Sequence, residues 1–264
     1  MSPGAEGVGR VDSEVEAKSE NQTVNRGHLM SESKQEASRP EPPSTRVDST
    51  LERVESTLAQ GKPSPEAMSA GIVMCGGKST RMGTSKALLP FGPETMLQRV
   101  LRILIGLVSP IVVVAAADQE LPGLPAGVII TRDEQPGRGP LEGLRAGLKA
   151  LPEQVDRAYV TSCDVPLLVP GFVTQMIEHS RDHDIAVMEI DGFAHPLSAV
   201  YRRAVLPHVE ALLGQDRLRP VFLFDAVRTR RVRPDEMTSD PDLRTLRNLN
   251  TPDDYQQALR DAGF

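Results

Sequence analysis

Residues 70–86 read AGIVMCGGKSTRMGTSK, and this stretch decides the fold. Its first five residues form a short unbroken apolar run, suited to a strand buried on both faces. Paired glycines follow one residue later. In open α/β sheets ligands bind beyond the carboxyl ends of the strands, so a loop leaving such a strand stands where a ligand would. Gly76 and Gly77 let backbone N–H groups approach an anion closely, and Lys78, Arg81 and Lys86 bring three cations into the same loop. A solvated basic turn is the plain alternative. Three cations beside paired glycines, directly after a buried strand, favour an anion site instead.

The loop is neither of two common nucleotide fingerprints. Gly77-Lys78-Ser79 imitates the end of a P-loop, but the first glycine of that pattern would fall on Ile72. No GxGxxG string follows the strand, which argues against a dinucleotide-dependent dehydrogenase.

Outward from this loop, strand and helix patterns alternate. Helical spacing through Met96, Leu97, Val100, Leu101, Leu104 and Ile105 predicts a helix over 94–107, and the run at 111–117 a second buried strand. A short strand at 128–131 and a helix at 140–151, with Pro140 suited to its first turn, come next. A strand at 157–162 ends at Cys163-Asp164, and a helix spans 170–182. Segments 185–189 and 197–201 flank Asp191-Gly192 and read as two strands about a turn. Helices at 203–213 and 252–262 close the chain, and 220–227 is ambiguous. The alternation predicts right-handed βαβ units, hence an α/β three-layer sandwich with a mostly parallel sheet and an antiparallel addition.

Composition agrees. Aromatics are only 3% and tryptophan is absent, so the core must rest on Val, Leu, Ile and Ala. The net charge of −6 argues against a nucleic-acid or acidic-membrane partner. Two cysteines, Cys75 and Cys163, make neither a metal pattern nor a disulfide framework, which suits a reducing cytoplasm. No segment approaches the roughly 18 consecutive apolar residues of a membrane span, and the first residues lack the features of a signal peptide. Residues 1–68 are rich in Ser, Glu, Pro, Gln and Lys and poor in clustered aliphatics, so a disordered tail is expected ahead of one domain at 69–264.

Two acidic positions stand out. Asp164 directly follows a buried strand, where a turn cap and a metal ligand are both open readings. Asp133 follows the strand at 128–131, in a loop that a turn residue would suit. Gly143, inside a predicted helix, costs about 1 kcal/mol relative to alanine, so close packing or a nearby ligand is the reason expected for it. Thr251-Pro252-Asp253-Asp254 is an N-terminal capping sequence.

The string GGKSTRMGTSKALL, at 76–89, resembles the signature of the MobA-like nucleotidyltransferases, most closely the molybdenum cofactor guanylyltransferases. The resemblance extends through GPLEG at 139–143, SCDVPLL at 162–168, His195-Pro196 and NLNTPDD at 248–254. It implies the nucleotide-diphospho-sugar transferase type of Rossmann-like fold. It also implies that Met74, Cys75 and Gly76 contact a nucleotide through the loop, that Lys86 binds it, and that Arg81 steadies its phosphates. Asp133 would contact the nucleotide, and Gly139, Leu141 and Gly143 would lie about the guanine or ribose. Asp164 would hold Mg²⁺, and Asn248 and Asn250 would hold the pterin acceptor. Two departures accompany the match: Met74-Cys75 replaces the usual Leu-Ala, and Ala115 stands where some relatives carry a base-contacting Asn.

The implied reaction moves GMP from GTP to the phosphate of the molybdopterin cofactor and expels pyrophosphate. Molybdoenzyme clients or other cofactor-biosynthesis proteins are the further partners such a role implies. A cytidylyltransferase of the same cofactor and a sugar-phosphate nucleotidyltransferase are rivals within the class; paired Gly76-Gly77 leans towards guanine. A non-catalytic nucleotide-binding protein that delivers the cofactor is the rival from another class. Retention of Lys86 and Asp164 together disfavours it.

Overall fold

Alternate residues of the strand at Ala70–Met74 (β1) enter opposite cores: Ile72 and Met74 join one apolar cluster, Val73 and Cys75 the other. That two-sided burial is what an aliphatic run without polar alternation requires. A computed structural model describes residues 69–76, 85–135 and 137–264 of the chain. The tail expected at 1–68, and Lys78 and Arg81 of the glycine-rich loop, lie outside the described residues.

Seven strands form the main sheet. After β1 come Ile111–Ala115 (β4), Ile129–Arg132 (β5), Arg157–Ser162 (β6), Ile185–Ile190 (β7), Phe193–Arg202 (β8) and Thr229–Val232 (β9). Between β1 and β4, Pro90–Phe91 (β2) and Glu94–Thr95 (β3) make a small separate antiparallel pair. The main order is β5-β4-β1-β6-β8-β7-β9. Pairing is parallel throughout except at β8, which runs against both β6 and β7. This is the mostly parallel sheet with an antiparallel addition that the sequence predicts.

Helices cover both faces. Met96–Ile105 (α1) and Pro170–His179 (α3) bury Leu97, Leu101, Leu104, Phe172 and Met176 on one side. Pro140–Lys149 (α2), Leu206–Gly214 (α4) and Val221–Ala226 (α5) bury Leu141, Leu148, Val209, Leu213 and Phe224 on the other. Each fully buried Leu or Phe stabilises the fold by about 1.5–3 kcal/mol, so these two clusters hold the layers together. A smaller cluster of Phe91, Met96, Leu167, Leu249 and Ala258 fastens the last helix, Pro252–Asp261 (α6), against α1.

Boundaries differ from expectation for local reasons. The helix expected at 94–107 begins at Met96 because Thr95 and Gln98 form a reciprocal capping box. The strand expected at 111–117 stops at Ala115, where the Gln119 carboxamide takes the Ala116 N–H out of the ladder. Segment 220–227 resolves as α5, and a 3₁₀ turn at Arg203–Val205 precedes α4.

The β7–β8 hairpin turns at Asp191-Gly192 as expected, with both residues in the left-handed region (φ 49° and 78°). Asp-Gly is suited to this two-residue turn, whose twist matches that of the strands. β8 starts at Phe193 rather than 197, and its register on β7 shifts. Val187 faces Ala199 but Met188 faces His195, leaving Pro196, Leu197 and Ser198 as extra residues. Pro196 has no N–H for the ladder, which is why the irregularity sits there; its carbonyl accepts instead from the Tyr201 hydroxyl at 2.9 Å.

Candidate active site

The ladder continues past the carboxyl ends of the central strands and aligns two loops. Cys75 N–H donates to the Val114 carbonyl at 2.8 Å, and Cys163 N–H to the Met74 carbonyl at 3.0 Å. Cys75 and Cys163 are buried on one face of the sheet. A hydrogen bond with Cys163, reinforced by burial, pushes the Cys75 thiol well above its usual range. Cys75 is not poised as a nucleophile. Cys75 therefore offers the site its backbone only.

Lys86 opens a 3₁₀ turn, Lys86–Leu88, at the far end of the glycine-rich loop. Its Nζ lies 2.8 Å from Asp164 Oδ2 and 3.0 Å from Asn250 Oδ1. The Ser162 hydroxyl donates to the other Asp164 oxygen. Side-chain exposure of 19% for Lys86 and 18% for Asp164 leaves the pair within reach of a ligand. Three residues expected at the site, Lys86, Asp164 and Asn250, thus meet.

The fold holds Asn250 there through its neighbours. Leu249 N–H donates to the Asp164 carbonyl at 3.0 Å, and the Leu249 side chain is buried. The Asp254 carboxylate accepts from Asn250 and Thr251 N–H at 3.2 and 2.9 Å, and Thr251 Oγ1 accepts from Asp254 N–H at 3.1 Å. This is the helix cap anticipated for α6. Asn248 lies elsewhere: it is exposed and lines a cavity of about 420 Å³ with Arg247, Asp253, Gln257 and Arg260.

Asp133 anchors a second cluster. Its N–H donates to the carbonyl of Ala115, a fully buried residue, at 3.0 Å. Asp133 Oδ1 is buried with no hydrogen-bond partner among the described residues, and so is Glu142 Oε2. Glu142 is 1% exposed and uses its other oxygen on Arg145 at 2.6 Å. Burial, with the Glu142 charge adding to it, pushes the Asp133 carboxyl above its ordinary value.

Two glycines make room for this carboxylate. A Cβ on Gly76 would lie 3.0 Å from Asp133 Oδ2; one on Gly143 would lie 3.2 Å from Met74 Sδ and 3.6 Å from Asp133 Oδ1. Met74, Gly76, Asp133 and Gly143 therefore form one tightly packed group, with unpaired acceptors beside glycine backbone.

One contributor carries no sequence signature. Gln119 Oε1 accepts from Ala116 N–H at 3.1 Å, while its Nε2 donates to the Cys75 carbonyl and to Ser85 Oγ, both at 3.0 Å. It clamps the two described ends of the glycine-rich loop together. A lone Gln in a connecting segment offers no pattern by which to find it.

His195 is half-buried on β8, and burial pushes its pKa down, keeping the ring neutral. Among the described residues no group of three His, Cys, Asp or Glu side chains is placed to hold a metal ion. Asp164 could give one carboxylate. Such a donor set fits Mg²⁺ carried largely by phosphate oxygens, which commonly uses only one or two protein carboxylates.

Comparison with known proteins identifies the family. A family model of the MobA-like NTP transferase domain matches residues 71–230. A probable molybdenum cofactor guanylyltransferase of Carboxydothermus hydrogenoformans is 32% identical over 191 residues, covering 71% of this chain and 93% of that protein. One from Mycobacterium ulcerans is 35% identical over 204 residues, covering 76% and 98%. Among solved structures, molybdopterin-guanine dinucleotide biosynthesis protein A from Archaeoglobus fulgidus superposes with a TM-score of 0.60 at 19% identity, over 73% of this chain and 98% of that one. The 2-C-methyl-D-erythritol 4-phosphate cytidylyltransferase of Thermus thermophilus shares the fold with a TM-score of 0.56 at 17% identity, over 75% and 100%. The chain belongs to the MobA-like NTP transferase family and is a nucleotidyltransferase.

Proposed function

We propose that the chain transfers GMP from GTP to the phosphate of molybdopterin, forming the guanine dinucleotide cofactor and pyrophosphate. The names of its relatives support the substrates. The observation that carries the reading is the meeting of Lys86, Asp164 and Asn250 at the carboxyl edge of the sheet. A reaction drawing on GTP belongs with the cytoplasmic nucleotide pool, where this reading puts the chain.

In this mechanism an oxygen of the molybdopterin phosphate attacks the α-phosphorus in line. The new P–O bond forms as the bond to the bridging oxygen breaks, and the electron pair leaves with pyrophosphate. No protein nucleophile or strong base is needed, because the attacking phosphate already carries its charge. Lys86 holds the triphosphate and neutralises charge on the α-phosphate and the leaving group, joined by Arg81 from the glycine-rich loop. The backbone at Met74, Cys75 and Gly76 lines the nucleotide. Asp133 accepts hydrogen bonds from its base or ribose, which would satisfy an oxygen otherwise unpaired. Asn250 orients the acceptor. Asp164 would hold Mg²⁺, which when bound neutralises phosphate charge and templates the in-line geometry.

Pyrophosphate release with each of the four nucleoside triphosphates, with and without molybdopterin, tests the proposal. Molybdopterin-dependent release with GTP supports it. Preference for CTP, or turnover with a sugar phosphate alone, would overturn it.

A further inference from the structure

The site divides along the sheet. Met74, Gly76, Asp133 and Gly143 gather over β1, β4, β5 and α2, the half read above as the nucleotide's. Beyond Asp164 the carboxyl edge is built by β6, β8 and β7. Because β8 runs backwards, the β7–β8 turn rises from that same edge.

Its height follows from register. Val160 of β6 and Val187 of β7 both pair with Ala199. Three further hairpin pairs lead from there to Ile190–Phe193, against two further residues of β6 to Ser162. At about 3.3 Å per residue and about 4.8 Å between strands, the hairpin tip overtops the end of β6, and Phe193, on the adjacent β8, stands about 5 Å to its side.

Phe193 crowns this tip at 76% exposure, the most exposed large apolar side chain among the described residues. Opposed antiparallel residues share a face. Phe193 is opposite Ile190 and His195 opposite Met188, so both sit on the side covered by α1 and α3. α6, which follows Asn250, packs on α1 on that side too. A ring offered alone beside a two-residue turn, with Asp191 next but one and Glu189 nearby, is far smaller than the roughly 800 Å² a stable protein partner covers. It does match one flat heterocycle.

We infer that the Phe193 ring is the platform on which the acceptor's fused ring system stacks, while the acceptor's phosphate lies at Asp164 and Asn250. The inference rests on the acceptor reading above and makes Phe193 a specificity-determining residue, with His195 two residues along the same face of β8. Stacking of a heterocycle on an aromatic side chain alters affinity by about tenfold or more.

The test is a kinetic split. With GTP saturating, Phe193→Ala raises the molybdopterin KM by about tenfold and leaves kcat unchanged; with GTP varied at saturating molybdopterin the GTP KM is unchanged, and Phe193→Trp restores acceptor affinity. Quenching of 6-hydroxymethylpterin phosphate fluorescence gives a second readout that needs no turnover, and weaker binding by Phe193→Ala supports the platform. Equal acceptor KM and equal probe binding in wild type and Phe193→Ala, or a GTP KM rising in parallel, overturn the platform alone. Wild-type protein that neither turns over molybdopterin nor binds the probe overturns the platform and the acceptor reading together.

Discussion

The Lys86 ammonium lies 2.8 Å from the Asp164 carboxylate, an ion pair between residues 78 positions apart in the chain. It joins the end of the glycine-rich loop to the end of β6. At under one-fifth exposure each, the two groups are mostly buried, so the cost of desolvating them offsets most of their attraction and the pair adds little net stability. Lys86→Ala and Asp164→Asn are therefore expected to melt within a few degrees of wild type, while pyrophosphate release falls on the order of a hundredfold or more. A thermal melt beside a turnover assay checks both, and near-normal turnover in either variant would sink the assignment.

Two glycines predict opposite outcomes. On Gly147 a Cβ would sit 2.7 Å from Ile72 Cγ2, so Gly147→Ala strains the contact between α2 and β1. Overpacking costs about 1–3 kcal/mol, partly offset by about 1 kcal/mol of helix propensity. That variant should lose stability in a urea melt and keep its GTP KM. Gly76→Ala instead presses on the Asp133 carboxylate at 3.0 Å. It should raise the GTP KM with little change in the melt.

Asp133 sets function against stability. Burial, with Glu142 beside it, raises its folded pKa above the ordinary 3.8. The folded state then binds the proton more tightly than the unfolded state. Its favourable contribution is present below the unfolded pKa and lost as pH rises through the folded one. At pH 7 the ionised carboxylate is a burden, and Asp133→Asn should stabilise the free protein by on the order of 1 kcal/mol. The gain should narrow as pH approaches 4, and GTP affinity should fall. Urea melts of both proteins across that range, with nucleotide titrations at pH 7, decide the matter. A variant less stable than wild type at pH 7 would contradict it.

Gln119→Ala removes three hydrogen bonds that hold the two described ends of the glycine-rich loop. Each such bond is worth about 0.5–1.5 kcal/mol net, and water replaces part of that here. The GTP KM is expected to rise several-fold with the far-UV circular dichroism unchanged. An unaltered GTP KM would show that the loop is positioned without the clamp.

Much of this fold was legible because its strands are buried on both faces. The runs at Ala70–Met74 and Ile111–Ala115 have no polar alternation and could hardly be anything else. β9 was not legible: in Thr229–Val232 only Val232 is buried, and the intervening arginines keep their heads at ion pairs with Glu236 and Glu189. The β2–β3 pair has no sequence signal because it is two residues a side and begins at a proline.

The site was half legible for a similar reason. Asp164 stands directly after a strand and Lys86 ends a marked loop, which made both candidates, but position left Asp164 open between a cap and a ligand until the family signature favoured the ligand. Their contact with Asn250 depends on α6 packing across α1, which no local pattern encodes. Asn248 and Asn250 look equivalent in sequence, yet only Asn250 reaches Lys86, because the intervening Leu249 is buried and sends its neighbours different ways.

The reversed direction of β8 also bears on how such a protein can diversify. Its turn at Asp191-Gly192 projects from the catalytic edge, while the residues that fill the core lie farther down the strands. Lengthening an exposed hairpin tip costs little, since each doubling of a loop adds only about 0.6 kcal/mol of closure entropy. The tip can therefore be redrawn for a new acceptor while the nucleotide half stays as it is, making acceptor choice a separable trait of the scaffold.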